Sequence, residues 1–168
     1  MNRILIAYDR HHTLEPAVRA ASPNAFVRDV DARLDRDEHI TALVIGLPGS
    51  VELDRKQRTH DKVNDMIQTH EPDFVMWENV RGLNSMRHEA TLQAYLNAVI
   101  DAGYYTAYRT LDASRFGAER PSKRVWILGT RRTPDLPIHP RWPSRRNRPH
   151  VYAPAADPVA LAILQANL

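Results

Sequence analysis

The sequence predicts an α/β fold built on a mostly parallel sheet, and three observations support that prediction. Apolar runs of strand length alternate with stretches of helical spacing along most of the chain. The 168 residues, 43% hydrophobic and 26% charged, suffice for one domain with its own core and exclude wholesale disorder. No internal repeat and no flexible Gly/Ser linker divides residues 1–168. Strands alternating with helices pack as a sheet covered on its faces, joined by right-handed crossovers.

The elements follow in chain order. "RILIAY" (3–8) reads as a first strand, followed by a helical stretch near 13–21, then strands "AFVRDV" (25–30) and "ITALVIG" (40–46). A helix over 59–70 places Val63, Met66, Ile67 and His70 on one stripe and stops at Pro72. "DFVMW" (73–77) is a short buried strand, with Glu78, Asn79 and Val80 just beyond its end. Residues 85–102 set Leu92, Leu96, Val99 and Ile100 at helical spacing, with Gly103 as the stop. Strands "YYTAYRTL" (104–111) and "KRVWILGT" (123–130) come next, then an irregular Arg/Pro-rich loop at 133–154. Asp157 and Pro158 supply the cap and first turn of a closing helix over 157–167.

Composition removes several function classes. With no cysteine there is no disulfide, thiolate metal site or cysteine nucleophile. No apolar stretch approaches a membrane span, and "MNRILIAYDR" is cut short by Asp9 and Arg10, so the cytoplasm is the expected compartment. The net charge is +3, and it is unevenly spread: between residues 115 and 148 only Glu119 and Asp135 offset a crowd of Lys and Arg. Such asymmetry attracts phosphate, and a solvated basic tail would look the same.

Glu78 is the leading candidate for chemistry. Open α/β sheets place their ligand crevices at the carboxyl ends of strands, where a sheltered carboxyl can act as an acid. The bland reading is an exposed strand end. Asp9 with His11 and His12 has the composition of a metal cluster but not the spacing of one, and no metal is expected. "RWPSRRNRPH" (141–150) offers Trp142 for stacking, with Arg141, Arg145, Arg146 and Arg148 for phosphate, or else a basic loop with no partner. "DRKQRTHDK" (54–62) reads as a closing loop or equally as a solvated helix start.

Taken in order, "GLPGS" (46–50), "ENVRGL" (78–83) and "GYYTAYRTLDASRFGAERPSKRVWILGTRR" (103–132) resemble the DNA (cytosine-5) methyltransferase family. The matches are Pro48, Glu78-Asn79-Val80, Gly82, Gly103-Tyr104, Leu111-Asp112-Ala113, Phe116-Gly117, Arg124-Val125 and Ile127-Leu128-Gly129. The resemblance implies a Rossmann-like three-layer sandwich of the S-adenosylmethionine-dependent methyltransferase type. It also implies a crevice that receives a flipped cytosine, with Glu78 at N3 of the base, Asn79 orienting its loop, and Arg124 matching an arginine that holds the base. Arg120 and Lys123 join the phosphate contacts, and Asp29 or Asp31 is the remaining match to the ribose-binding acid of the cofactor site.

The departures are as specific as the matches. Gly49 stands where the family has its cysteine nucleophile, and the hydroxyl of Ser50 is a poor substitute. The Gln-x-Arg-x-Arg segment reads Arg120, Ser122, Arg124; residues 7–15, where a glycine-rich cofactor turn belongs, contain no glycine; and 133–154 is a stub in place of the insertion that reads DNA sequence. The expectation is therefore a catalytically degenerate homologue that needs no cofactor. It would act through DNA or RNA, or as a regulatory subunit with a protein partner or a second copy of itself. The alternative is an active enzyme on a nucleic-acid base or nucleotide, either a methyltransferase using S-adenosylmethionine and completed in trans, or a different reaction in the same crevice.

Overall fold

The computed structural model describes residues 2–7, 12–29, 39–46, 53–136, 139–144 and 156–168, with backbone alone at 29 and 53–60. Strands β1 (Arg3–Ala7), β2 (Phe26–Asp29), β3 (Ala42–Ile45), β4 (Phe74–Val80), β5 (Tyr104–Asp112) and β6 (Lys123–Arg131) form one six-stranded sheet in the order β2-β1-β3-β4-β6-β5. Pairing is parallel through β4, whereas β6 runs antiparallel to both β4 and β5. Helices α1 (Leu14–Ala21) and α4 (Pro158–Asn167) share a core with Ile4, Ile6, Met76 and Trp126 on one face. On the other face α2 (Leu53–His70) and α3 (Glu89–Asp101) pack against Leu5, Leu43, Trp77 and Ile127. The result is the expected three-layer α/β sandwich.

Local sequence accounts for the boundaries. Asp157 caps α4, its carboxylate accepting from the Val159 and Ala160 amides at 2.8 and 2.9 Å, and Pro158 occupies the first turn, where its missing N–H costs nothing. Residues Val159 to Leu164 are all buried, so this helix is apolar all round and enclosed. Gly129 is required by packing: a Cβ there would lie 2.9 Å from Cγ1 of Val99, so its absence lets α3 settle directly on β6. The Tyr104 hydroxyl donates to the Pro72 carbonyl at 2.7 Å, tying the start of β5 to the turn before β4.

Three expectations need correction. The helix placed at 59–70 begins at Leu53, so the stretch 54–62 is helical. The helix placed at 85–102 starts at Glu89, after two short 3-10 turns at Arg81–Asn84 and Met86–His88; Tyr95 joins its buried stripe, while Ile100 is exposed. Most consequentially, β4 does not end at Trp77. It continues through Val80 because β6 pairs with it residue by residue, Glu78 opposite Trp126, Asn79 opposite Val125 and Val80 opposite Arg124. Glu78 is therefore held in a hydrogen-bonded ladder.

Candidate functional site

The carboxyl ends of the parallel strands and the start of β6 meet at one edge of the sheet. There the backbone brings together Asp29, Gly46, Glu78, Asp112 and Arg124. Side chains alternate along a strand, so Phe74, Met76 and Glu78 face the α1/α4 layer while Trp77 and Asn79 face α2/α3. Arg124 and Trp126 of β6 lie on the same face as Glu78. Arg124 sits diagonally across from it, within reach of a long side chain.

That reach is used. Nε of Arg124 donates to Oε1 of Glu78 at 3.2 Å, and its Nη1 donates to the Lys123 carbonyl at 3.3 Å. The Glu78 side chain is 18% exposed and that of Arg124 is 41% exposed, so the pair sits at the mouth of the crevice, open to a ligand. Asn79 is buried, and its Oδ1 accepts from the Val80 amide at 2.8 Å, which fixes the backbone just as the strand ends. Directly opposite Glu78, the buried indole N–H of Trp126 has no acceptor among the described residues. A buried donor left unpaired costs about 1–3 kcal/mol.

Beside this pair, an open cleft of about 250 Å³ is lined by Thr110, Leu111, Asp112, Arg115, Phe116, Lys123 and Pro143. Asp112 organises its floor. Its Oδ1 accepts from the Ser114 amide at 3.1 Å, the Ser114 hydroxyl at 2.9 Å and the Ser122 amide at 3.2 Å. The Ser114 hydroxyl first, then the two amides and nearby Lys123, hold its carboxyl below the usual range. With Asp112 occupied internally, Arg115 and Lys123 dominate the charge presented to a ligand. A depressed pKa means that the turn is stabilised above the ordinary carboxylate pKa and loosens as pH falls through the lowered value. Asp112→Ala is accordingly expected to lower the hydrogen-exchange protection factors of the Ser114 and Ser122 amides at neutral pH, and acidification is expected to lower them in the unmodified chain, each measured against the intrinsic rate at that pH.

The remaining candidates fall into three groups. Arg120 and Lys123 are exposed at the entrance to β6. Arg141 and Trp142 belong to a segment laid along β5: His139 packs edge-on against Tyr105, and the Arg109 guanidinium lies 5.1 Å over the Trp142 ring, whose body packs on the α1/α4 core. The Asn167 amide fastens this segment from α4, accepting from the Arg141 N–H at 2.8 Å and donating to its carbonyl at 2.9 Å. Asp31, Arg145, Arg146 and Arg148, with Pro48, Gly49, Ser50, Asp9 and His11, lie outside the described residues, as does the side chain of Asp29. No metal-binding group occurs among the described residues, and no described helix is long and apolar enough to cross a membrane.

Residues 7–15, where a cofactor-binding turn would carry glycine, contain none. The first glycine in the chain is Gly46, and the turn from β1 to α1 carries His12 at φ +52°, a left-handed value that glycine adopts without strain. An exposed histidine thus stands in that turn.

A helix-covered, mostly parallel sheet with an antiparallel strand near one edge, and an acid paired with an arginine at its carboxyl end, defines a methyltransferase-type α/β protein. The crystal structure of a Spodoptera frugiperda DNMT2 variant superposes on 82% of the chain, with 52% of that protein covered, a TM-score of 0.57 and 13% identity, and so shares the fold. The chain belongs to the C-5 cytosine-specific DNA methylase family, whose model matches residues 51–156. It is 32% identical over 95 residues to the type II methyltransferase M.MthTI of Methanothermobacter thermautotrophicus, a match covering 56% of this chain and 28% of that one. It is 31% identical over 88 residues to M.XorII of Xanthomonas oryzae, covering 51% and 20% respectively. The chain thus spans less than a third of these relatives' length.

Proposed function

We propose that this methyltransferase-like chain keeps the base-binding half of a cytosine-5 methyltransferase site without the methyl-transfer half, and that it works by holding nucleic acid. The observation that carries this reading is the Glu78–Arg124 pair in a chain without cysteine. Arg124 holds the Glu78 carboxyl at the crevice mouth, where the family resemblance puts N3 of a flipped cytosine. With Gly49 at the nucleophile position, no thiolate of this chain can add to the base. Arg115, Lys123 and Arg120 provide the charge that a phosphate backbone requires.

S-adenosylmethionine is the methyl donor that the family implies. The glycine-free stretch 7–15 and His12 in its turn do not fit the cradle such a cofactor needs. The same Glu78 would serve the second reading, an enzyme whose missing cysteine comes from another subunit, as the acid that contacts the base.

Two titrations of the full chain separate these readings. The first adds a cytosine-containing single-stranded oligonucleotide at low salt, followed by fluorescence anisotropy. Saturable binding that weakens steeply with salt is expected, and its absence would remove the nucleic-acid reading. The second adds S-adenosylmethionine, followed by calorimetry, and no heat is expected. Micromolar binding, on the order of −8 kcal/mol, would shift the assignment to an enzyme completed in trans.

A further inference from the structure

The two edges of the sheet are treated very differently. The β2 edge is four residues long and carries Arg28 and Asp29, the short and charged kind of edge that resists further pairing. The β5 edge is nine residues long, unbulged through its whole register with β6, and contains no proline, glycine or lysine. Its middle is open to solvent: Tyr108 is 40% exposed, and Arg109 and Thr110 are exposed as well.

The hydrogen bonds at either end of the β5–β6 ladder reveal which backbone groups face outward. Arg132 N–H donates to the Gly103 carbonyl at 3.0 Å, and Ala113 N–H donates to the Ser122 carbonyl at 2.9 Å. Antiparallel pairs alternate, so the odd-numbered residues of β5 turn their N–H and C=O groups to β6. The even-numbered Tyr104, Thr106, Tyr108, Thr110 and Asp112 turn theirs away from the sheet. Among the described residues no other strand pairs with this side.

We infer that this edge pairs with the same edge of a second copy, antiparallel, about a two-fold axis through Tyr108. The strand is self-complementary in that register. Tyr108 meets Tyr108, Thr106 meets Thr110, and Tyr104 meets Asp112, so every outward-facing residue finds an outward-facing residue with which it exchanges both backbone hydrogen bonds. On the intervening positions Tyr105 meets Leu111, and Arg109 meets Ala107. No like charges stand directly opposite each other, and each Arg109 guanidinium is already drawn over its own Trp142. A strand shifted by one residue would put outward groups against inward ones, and a seam centred on Arg109 would set like charges face to face, so both of these alternatives are disfavoured. The assembly joins the two sheets into one and points the two crevices in opposite directions along it, with Thr110, Leu111 and Asp112 shared between each cleft and the seam. This inference does not depend on the nucleic-acid reading.

Sedimentation velocity of the full chain at micromolar concentration in high salt is the test, because high salt removes association bridged by nucleic acid. A species of twice the 19.2 kDa chain mass is expected. Tyr108→Lys places two ammonium groups face to face on the axis and is expected to return the single-chain mass. Tyr108→Cys adds the only thiol to a chain that has none, and mild oxidation is expected to convert it to a covalent dimer. Met86→Cys, on a residue 95% exposed elsewhere, is expected to stay uncrosslinked under the same treatment. The cross-link decides the matter even if Tyr108→Lys misfolds. A single-chain mass together with no cross-linking of the Tyr108→Cys variant, or a dimer that a folded Tyr108→Lys leaves intact, would overturn the inference.

Discussion

Trp77→Ala is expected to lower the unfolding free energy by about 3–5 kcal/mol, a large part of the margin by which a domain of this size is stable. Trp77 is 1% exposed at the centre of β4, and its ring stacks on Tyr95 of α3 with centroids 4.7 Å apart and planes inclined by 21°. Truncation removes the indole's buried area and its aromatic contact. It also leaves a cavity that β3 on one side and β6 on the other prevent from closing, since Ile45 and Ile127 are fixed opposite it by the ladders. Urea denaturation should show a lower midpoint with an unchanged slope, because the area exposed on unfolding stays nearly the same. A midpoint that hardly moved would mean that the α2/α3 face is packed more loosely than the structure shows.

Why some of this architecture is legible in the sequence, and some is not, follows from where the determining contacts lie. The parallel strands and the closing helix announce themselves because their signals are local: unbroken apolar runs for β1, β3 and β4, and Asp157-Pro158 for the start of α4. The end of β4 is not a local matter. Glu78, Asn79 and Val80 read as polar punctuation, yet they remain in the strand because β6, more than forty residues later, supplies a partner for each of them. Non-local pairing overrides local polarity there. The same holds for the site. Glu78 and Arg124 can each be matched to a family motif, but only the antiparallel register sets them diagonally across from one another and makes them a pair. Arg109 and Asn167 carry no motif. They matter because one covers the ring of Trp142 and the other clamps the backbone of Arg141, contacts that depend on how residues 139–144 lie along β5.

The second large effect is expected in binding rather than in stability. The Glu78–Arg124 pair is partly exposed at a strand end and contributes on the order of 1 kcal/mol to folding, so each variant should remain folded, which its circular dichroism checks. If the pair is a base-reading unit, Arg124→Ala should weaken binding of a cytosine-containing oligonucleotide about tenfold, equivalent to about 1.4 kcal/mol. Glu78→Ala should do much the same, because each residue positions the other. The double variant should then bind no worse than either single one, since interacting groups are not additive. A guanidinium acting only as a phosphate contact behaves differently. Its loss would weaken all oligonucleotides alike, reduce the slope of affinity against salt by about one unit, and add independently to the loss of Glu78. Anisotropy titrations of the four proteins at two salt concentrations separate the cases. Non-additivity with an unchanged salt slope would establish a base pocket, and additivity with a reduced slope would reduce Arg124 to one more cation on a basic surface.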